Sequence, residues 1–316
     1  MNTAFHSKSL HLKNRVLVAS GTFGYGNEVA RFTDLSKIGG IVTKSVSWKP
    51  RIGNAPMRIA ETPSGMLNSI GLANVGIEEF TAEKLPYLRN VDSQIIVNIA
   101  ASTIDEYIQI LERLEDEEGI AAYEINVSCP NVKEGGLNFG TRCEMTGEIT
   151  RELRKRTDRF LIIKLTPNVT HIADFAKTCQ DEGADSVSLI NTLVGMAVNI
   201  KTRRPVLSTI TGGFSGPAIK PVALAKVYEA AKAVKIPIIG IGGIMSWKDA
   251  IEFLLVGASA IQVGTANFLD PDAAAKIAEG MAAYCEEEGI EDIQELVGAL
   301  KVHETQSAPG FVPVKA

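Results

Sequence analysis

The stretch "INVSCPNVKEGG" (125–136) sets a cysteine, Cys129, after an apolar strand-like run and before a proline and a glycine-rich polar loop. A thiol in that position has three chemistries open to it: base or nucleophile, metal ligand, or buried packing group. The segment "PNVKEGG" offers no partner for a Cys–His dyad, so acyl chemistry has little support. Removal of a carbon-bound proton stays open. An ordinary thiol pKa of ~8.5 leaves a minority thiolate at neutral pH unless the site lowers it. The histidines His6, His11, His171 and His303 do not sit with carboxylates at metal-ligand spacing, and Cys129, Cys143, Cys179 and Cys285 form no C-x-x-C pair. The chain is therefore expected to hold neither a metal ion nor an iron–sulfur cluster of its own.

Other polar residues recur at one place in a repeating pattern. Eight short apolar runs, 15–20, 40–45, 94–100, 123–128, 160–167, 186–192, 237–243 and 260–266, end in a polar residue or a glycine. In order these ends are Ser20, Lys44, Asn98, Asn126, Lys164, Asn191, Gly242-Gly243 and Gly264-Thr265. Amphipathic helical patterns lie between the runs, at Thr103–Glu117, Thr170–Glu182, Pro221–Val234, Ser246–Leu255 and Pro271–Glu288. Apolar strands alternating with helices imply βαβ units, and eight of them predict an α/β fold, a closed (β/α)8 TIM barrel, as one domain over 1–316. An open doubly wound sheet is the rival, but no G-x-G-x-x-G follows the first run. Three connections, 46–93, 192–220 and the cysteine loop at about 128–145, are long enough to read as lids or binding segments.

A barrel gathers its chemistry at the C-terminal strand ends, so these residues should share one pocket. The motifs "GIGGI" and "VGTAN" end the last two runs, where barrels often bind a phosphate through backbone N–H groups. Ordinary glycine turns are the plainer reading of each motif alone. A phosphorylated cofactor such as FMN suits the set, with Asn98 and Asn126 for its ring amides and Lys164 for charge near N1 and O2. Lys164 also admits a barrel-mouth ion pair with a carboxylate, or a Schiff-base nucleophile of an aldolase. Lys44 and "GMLNSIGLANVG" (65–76), with Asn68, Gly71 and Asn74, form a second group with the "INT" that ends at Thr192. That group suits a small planar anion bearing amides, or else is a glycine-rich turn with local Asx hydrogen bonds.

Composition narrows the classes. The 316 residues are 45% hydrophobic with net charge −5 and a pI near 5.6, and no basic stripe marks a nucleic-acid or anionic-membrane partner. No apolar run reaches the ~20 residues of a membrane span, and "MNTAFHSKSLHLKNRVLVASG" lacks a signal-peptide core. The protein is expected to be cytoplasmic, with its cysteines as free thiols.

The stretches "ASGTFGYG", "TKSVSWKPRIGNAPMRIAETPSGMLNSIGLANVG", "NVSCPNVKEGG", "KLTPNV", "LINT", "RRPVL", "GGFSGPAIKPVAL", "IGIGGI" and "VGTANF" resemble the dihydroorotate dehydrogenases, flavoenzymes of pyrimidine biosynthesis. The resemblance covers nearly the whole chain. A cysteine in "NVSCPN" is similar to class 1, the soluble branch; class 2 relatives use serine as base and carry an N-terminal extension that this chain is expected to lack. Within class 1, "TRRPVLSTITGGFSGPAIKPVAL" resembles the B-type catalytic subunit. That resemblance implies a partner subunit carrying FAD and a [2Fe-2S] cluster, a heterotetramer of two catalytic and two electron-transfer chains, and NAD+ as acceptor. A-type relatives are homodimers that reduce fumarate.

Carried onto matching positions, the resemblance implies FMN contacts from Ser20, Lys44, Ser45, Asn98, Asn126, Lys164, Ile190, Gly216, Gly242, Gly243, Gly264 and Thr265. It implies that Lys44, Asn68, Ser69, Ile70, Gly71, Leu72, Asn126, Asn191 and Thr192 hold dihydroorotate or orotate, and that Cys129 is the base. The expected reaction oxidises (S)-dihydroorotate to orotate: Cys129 takes the C5 proton while hydride leaves C6 for the flavin. A dihydropyrimidine dehydrogenase-like flavoprotein, a lysine aldolase and a non-enzymatic phosphate-ligand barrel are the competing readings.

Overall fold

Strands that are apolar on both faces need cover on both, and the computed structural model supplies it with a barrel wrapped in helices. It describes residues 1–128 and 139–302, so Cys129, the rest of 129–138 and the tail with His303 lie outside the described residues. Eight parallel strands close the barrel: β1 (Val16–Val18), β2 (Gly40–Val42), β3 (Gln94–Ile99), β4 (Ala122–Asn126), β5 (Phe160–Lys164), β6 (Ser186–Leu189), β7 (Ile238–Ile241) and β8 (Ala260–Val263). Neighbours are hydrogen-bonded in chain order, and β8 pairs with β1 through Ile261 opposite Val16 to complete the circle. Seven fall within runs expected from sequence, and β4 begins one residue before its run of 123–128.

Six helices of nine to fifteen residues follow β3 to β8: α1 (Ile104–Glu115), α2 (Cys143–Arg154), α3 (Ile172–Asp181), α4 (Lys220–Ala231), α5 (Trp247–Leu255) and α6 (Ala273–Glu287). Their starts are set locally. Thr103 caps α1 by accepting from Glu106 N, and Ser246 with Asp249 forms a reciprocal capping box on α5. The α2 helix begins inside what the sequence suggested was loop, so the connection around the cysteine ends earlier than residue 145. Its polar stretch hid a buried stripe of Thr146, Ile149, Thr150 and Leu153.

Inside the barrel, Leu17, Val42, Ile96, Ile162 and Ile239 form a dry layer. An N-terminal hairpin, Phe5–Ser7 paired with Leu10–Leu12, closes its lower end by burying Phe5, Leu10 and Leu12 there. Burying a leucine fully is worth about 1.5–3 kcal/mol, which is reason enough for the hairpin to stay docked.

The two longest connections differ from the loops expected of them. They carry Ile59–Thr62, Gly65–Asn68, Leu193–Met196 and Thr211–Ser215, which meet in a four-stranded antiparallel sheet over the C-terminal face. Val194, Gly213, Asn68 and Ile59 lie directly opposite one another across it and so share a face. The pairing joins segments more than a hundred residues apart, which no local pattern announces.

Candidate active site

A cavity of 690 Å³ opens at the C-terminal strand ends, under the accessory sheet. It is lined by Ser20, Lys44, Ser45, Asn126, Lys164, Ile190, Gly216, Gly242, Gly243, Gly264 and Thr265, and also by Asn68, Ser69, Ile70, Gly71, Leu72, Asn191 and Thr192. The structure therefore brings together every site residue expected from sequence except three. Cys129 lies outside the described residues, Asn98 is fully buried one layer below the lining, and Asn74 is not part of the lining.

The floor is polar. Glu124, on β4 and with no exposed surface, accepts from Asn98 Nδ2 at 2.7 Å, Lys164 Nζ at 3.4 Å, Ser188 Oγ at 2.8 Å and Gln262 Nε2 at 2.6 Å. Strand alternation puts all five side chains inside the barrel. The ion-pair reading of Lys164 is thus realised, and it coexists with the placement of Lys164 in the cavity lining. Sequence reasoning passed over Glu124 because it sits inside a strand run rather than at its end.

Lys44 occupies one wall. Burial holds its pKa below the usual lysine value, and the nearby Lys164 charge lowers it further. No carboxylate of the described residues pairs with it. Partial desolvation of an ammonium without a counter-ion is costly, and an anionic ligand would relieve that cost.

Opposite, a chain of amides runs along the strand ends. Asn191 Nδ2 donates to Asn126 Oδ1 at 3.2 Å, Thr192 N donates to Asn191 Oδ1 at 2.8 Å, and Tyr107 Oη holds the Asn126 carbonyl at 2.7 Å. Asn126 Oδ1 also accepts from Ser128 N, which turns its NH2 group away from its own loop. Asn168 was not singled out from sequence, although it follows β5 in "KLTPNV". It lines the cavity, donates to the Thr192 carbonyl at 3.0 Å and accepts from Val194 N at 3.0 Å.

The accessory sheet brings in Asn68, whose Nδ2 donates to the Gly213 carbonyl at 3.3 Å. Beyond it the chain turns through Gly71 and Leu72, both at positive φ. Asn74, expected to face a ligand with Asn68, is spent on the scaffold: it accepts from Gly76 N at 2.8 Å and donates to the Leu72 carbonyl at 2.7 Å. Ser69 Oγ is buried without a partner among the described residues.

At the far end three segments converge. Gly243 has φ of +73°, and a Cβ there would meet Lys220 N at 2.8 Å and the Gly216 carbonyl oxygen at 2.9 Å. Gly242 has φ of +129°, and Gly216 has φ of +102° with Gly65 Cα only 2.7 Å from any added Cβ. Thr265 Oγ1 donates to Ser215 Oγ at 2.9 Å, tying the end of β8 to the accessory sheet. Only glycine backbone can pack this closely, and exposed backbone N–H groups of this kind form anion cradles.

These features fit FMN: a backbone cradle for phosphate, a lysine on the floor for ring charge, the unpartnered Asn98 Oδ1 below it, and volume for a ring system with a small second ligand. A second concavity, lined by Gln94, Glu115, Arg156 and Arg159, lies at the opposite strand ends. Its Arg159 is committed to the carbonyls of Leu114, Glu115 and Glu117.

Known proteins share both sequence and fold with this chain. A family model described as dihydroorotate dehydrogenase matches residues 3–284. A protein of Geotalea uraniireducens named dihydroorotate dehydrogenase B (NAD(+)), catalytic subunit, is 56% identical over 291 residues, covering 92% of this chain and 95% of that one. A protein of the same name from Pelobacter propionicus is 55% identical, covering 92% and 96%. The solved structure of DHODH from Eimeria tenella, in complex with ferulenol, superposes with a TM-score of 0.75 at 20% identity, covering 94% of this chain and 88% of that one. At that identity the likeness speaks for the fold alone.

Proposed function

The chain belongs to the dihydroorotate dehydrogenase family, and on that premise we propose that its cavity binds FMN and oxidises (S)-dihydroorotate to orotate in pyrimidine synthesis, with electrons passed to NAD+ through a partner subunit. The observation that carries the reading is Lys44, a half-buried ammonium without a carboxylate partner among the described residues, set in the wall of the cavity that the Asn68 to Leu72 turn also lines. When bound, FMN supplies the acceptor for the hydride that leaves C6.

The chain's own residues supply the rest. Lys44 neutralises the substrate carboxylate and is in turn stabilised by it. Asn68, Asn126 and Asn191, with Thr192 behind them, present amides to the ring's own amides and hold it flat in the cavity. Asn168 keeps Thr192 and Val194 in register. Cys129, three residues beyond Asn126, is assigned the C5 proton, so that loss of H+ from C5 and hydride from C6 leaves the C5=C6 double bond.

Lys164 bonded to Glu124 does not suit the aldolase reading, which needs a free amine. An uncompensated lysine in the wall favours an orotate-type ligand over a neutral dihydropyrimidine.

The relatives' name, a catalytic subunit of an NAD(+)-linked enzyme, supports a separate electron-transfer subunit. We assign that partner FAD and a [2Fe-2S] cluster, in an assembly of two catalytic and two electron-transfer chains. Phe268, 54% exposed at the cavity edge, and Leu269, 76% exposed beside it, give apolar surface of the kind another chain covers. No helix among the described residues is long and apolar enough to cross a membrane, and Cys143, Cys179 and Cys285 are free thiols, which supports a cytoplasmic setting.

The test is ligand choice. Titration of the FMN-loaded protein with orotate and with uracil, read as perturbation of the flavin spectrum, should show orotate binding far more tightly. Equal affinity for the two would refute the reading.

A further inference from the structure

We infer that Glu124 is a positioning residue for the cofactor: its buried carboxylate fixes the direction of the Asn98 and Gln262 amides and acts as the counter-charge to Lys164 beneath the flavin. The inference rests on the reading of this cavity as an FMN site. The residue sits inside the barrel with no exposed surface, and donors from β3, β5, β6 and β8 converge on it. Oε1 takes Asn98 Nδ2 and Lys164 Nζ, and Oε2 takes Ser188 Oγ and Gln262 Nε2. A buried carboxylate is expensive unless paired and hydrogen-bonded, and this one is both.

The polarity of that cluster has a consequence above it. An ionised carboxylate only accepts, so each neighbouring amide must turn its NH2 group toward Glu124 and its oxygen away. Asn98 Oδ1 and Gln262 Oε1 are accordingly buried without a partner among the described residues. Buried carbonyl oxygens are rarely left so, and a ring N–H of a bound cofactor would satisfy Asn98. Were Glu124 neutral, one neighbour would have to accept from it, and the amide orientation would no longer be dictated.

Charge is the second consequence. Among the described residues two ammonium groups, Lys44 and Lys164, line the cavity, and of these only Lys164 has a carboxylate partner there. Glu124 thus leaves the three groups with a net charge of about +1 rather than +2. An anion under the ring opposes the negative charge gained on reduction, so Glu124 holds the cofactor's midpoint potential down, while Lys164 holds it up.

Glu124→Gln keeps the shape of the side chain and removes its charge. In the FMN-loaded variant the reduced cofactor should bind at least tenfold more tightly relative to the oxidised form, an upward shift of about 30 mV for a two-electron couple. A purely structural role would lower the melting temperature and leave the potential in place. Should the single variant fail to fold, the same comparison is made between Lys164→Met and Lys164→Met/Glu124→Gln, since removing both partners of a buried pair is better tolerated than removing one. The glutamine must raise the potential in that background too. An unchanged or lowered potential with FMN bound overturns the inference. Wild-type protein that takes up no FMN would overturn the cofactor reading itself, a result distinguishable at the loading step.

Discussion

Replacing Lys44 by methionine should move binding and stability in opposite directions. The side chain is half-buried in the cavity wall without a carboxylate partner among the described residues, and its pKa lies below the ordinary lysine value of 10.5 because desolvation, and then Lys164, disfavour its charge. A lysine with a lowered folded pKa costs stability when charged. The cost is fully present below the folded pKa and disappears as pH rises toward the unfolded value. Ligand-free wild-type protein should therefore gain stability with pH in the alkaline window that ends near 10.5, and Lys44→Met should lose that dependence.

At neutral pH the variant should be more stable by ~0.5–2 kcal/mol, the usual gain when a strained functional group gives way to an apolar one. With an unfolding entropy of about 2.1 cal/mol/K per residue over a chain of this length, that is a rise of ~1–3 °C in melting temperature. Orotate binding goes the other way. Loss of one partner of a buried charge pair costs ~2–5 kcal/mol, or roughly thirtyfold to several thousandfold in Kd. Thermal melts of the ligand-free form and orotate titrations of the FMN-loaded form measure both. A variant that binds orotate within threefold of wild type, or that melts earlier, refutes the role given to Lys44.

Other residues make separate predictions. Cys129→Ala should bind FMN normally yet slow flavin reduction by dihydroorotate at least about a hundredfold, and Cys129→Ser should recover rate as pH rises because a hydroxyl is the weaker acid; rapid-mixing absorbance measures both. Gly243→Ala should weaken FMN binding at least tenfold, since its Cβ would meet the backbone at Lys220 N and the Gly216 oxygen; fluorescence titration with FMN checks it. Leu10→Ala, in the hairpin that closes the barrel, should cost ~2–5 kcal/mol in denaturant unfolding of the ligand-free protein with the FMN site unaltered.

The barrel was legible because each strand is a continuous apolar run and each run ends in a residue of different chemistry. Lys44, Asn126, Lys164 and Asn191 stood out as polar stops to such runs, and all four line the cavity. Asn98 was read as such a stop, but the strand continues through Ile99 and its side chain points to Glu124, one layer lower. End position alone does not tell a pocket residue from a floor residue, because that depends on how far each strand reaches. Glu124 stayed hidden because a single charge within an apolar run reads as noise until four other strands supply its donors. The accessory sheet was illegible for another reason. Its strands are short, rich in Gly and Thr, and partnered across long sequence distances, so Asn68 and Gly213 meet only in three dimensions.

The most direct measurement is anaerobic mixing of the FMN-loaded chain with (S)-dihydroorotate, followed by fumarate and then NAD+. The flavin absorbance should bleach with dihydroorotate and stay bleached with both acceptors until an electron-transfer subunit is added. Absence of bleaching with FMN bound would contradict dihydroorotate as the substrate, and prompt reoxidation by fumarate would contradict the need for a partner chain.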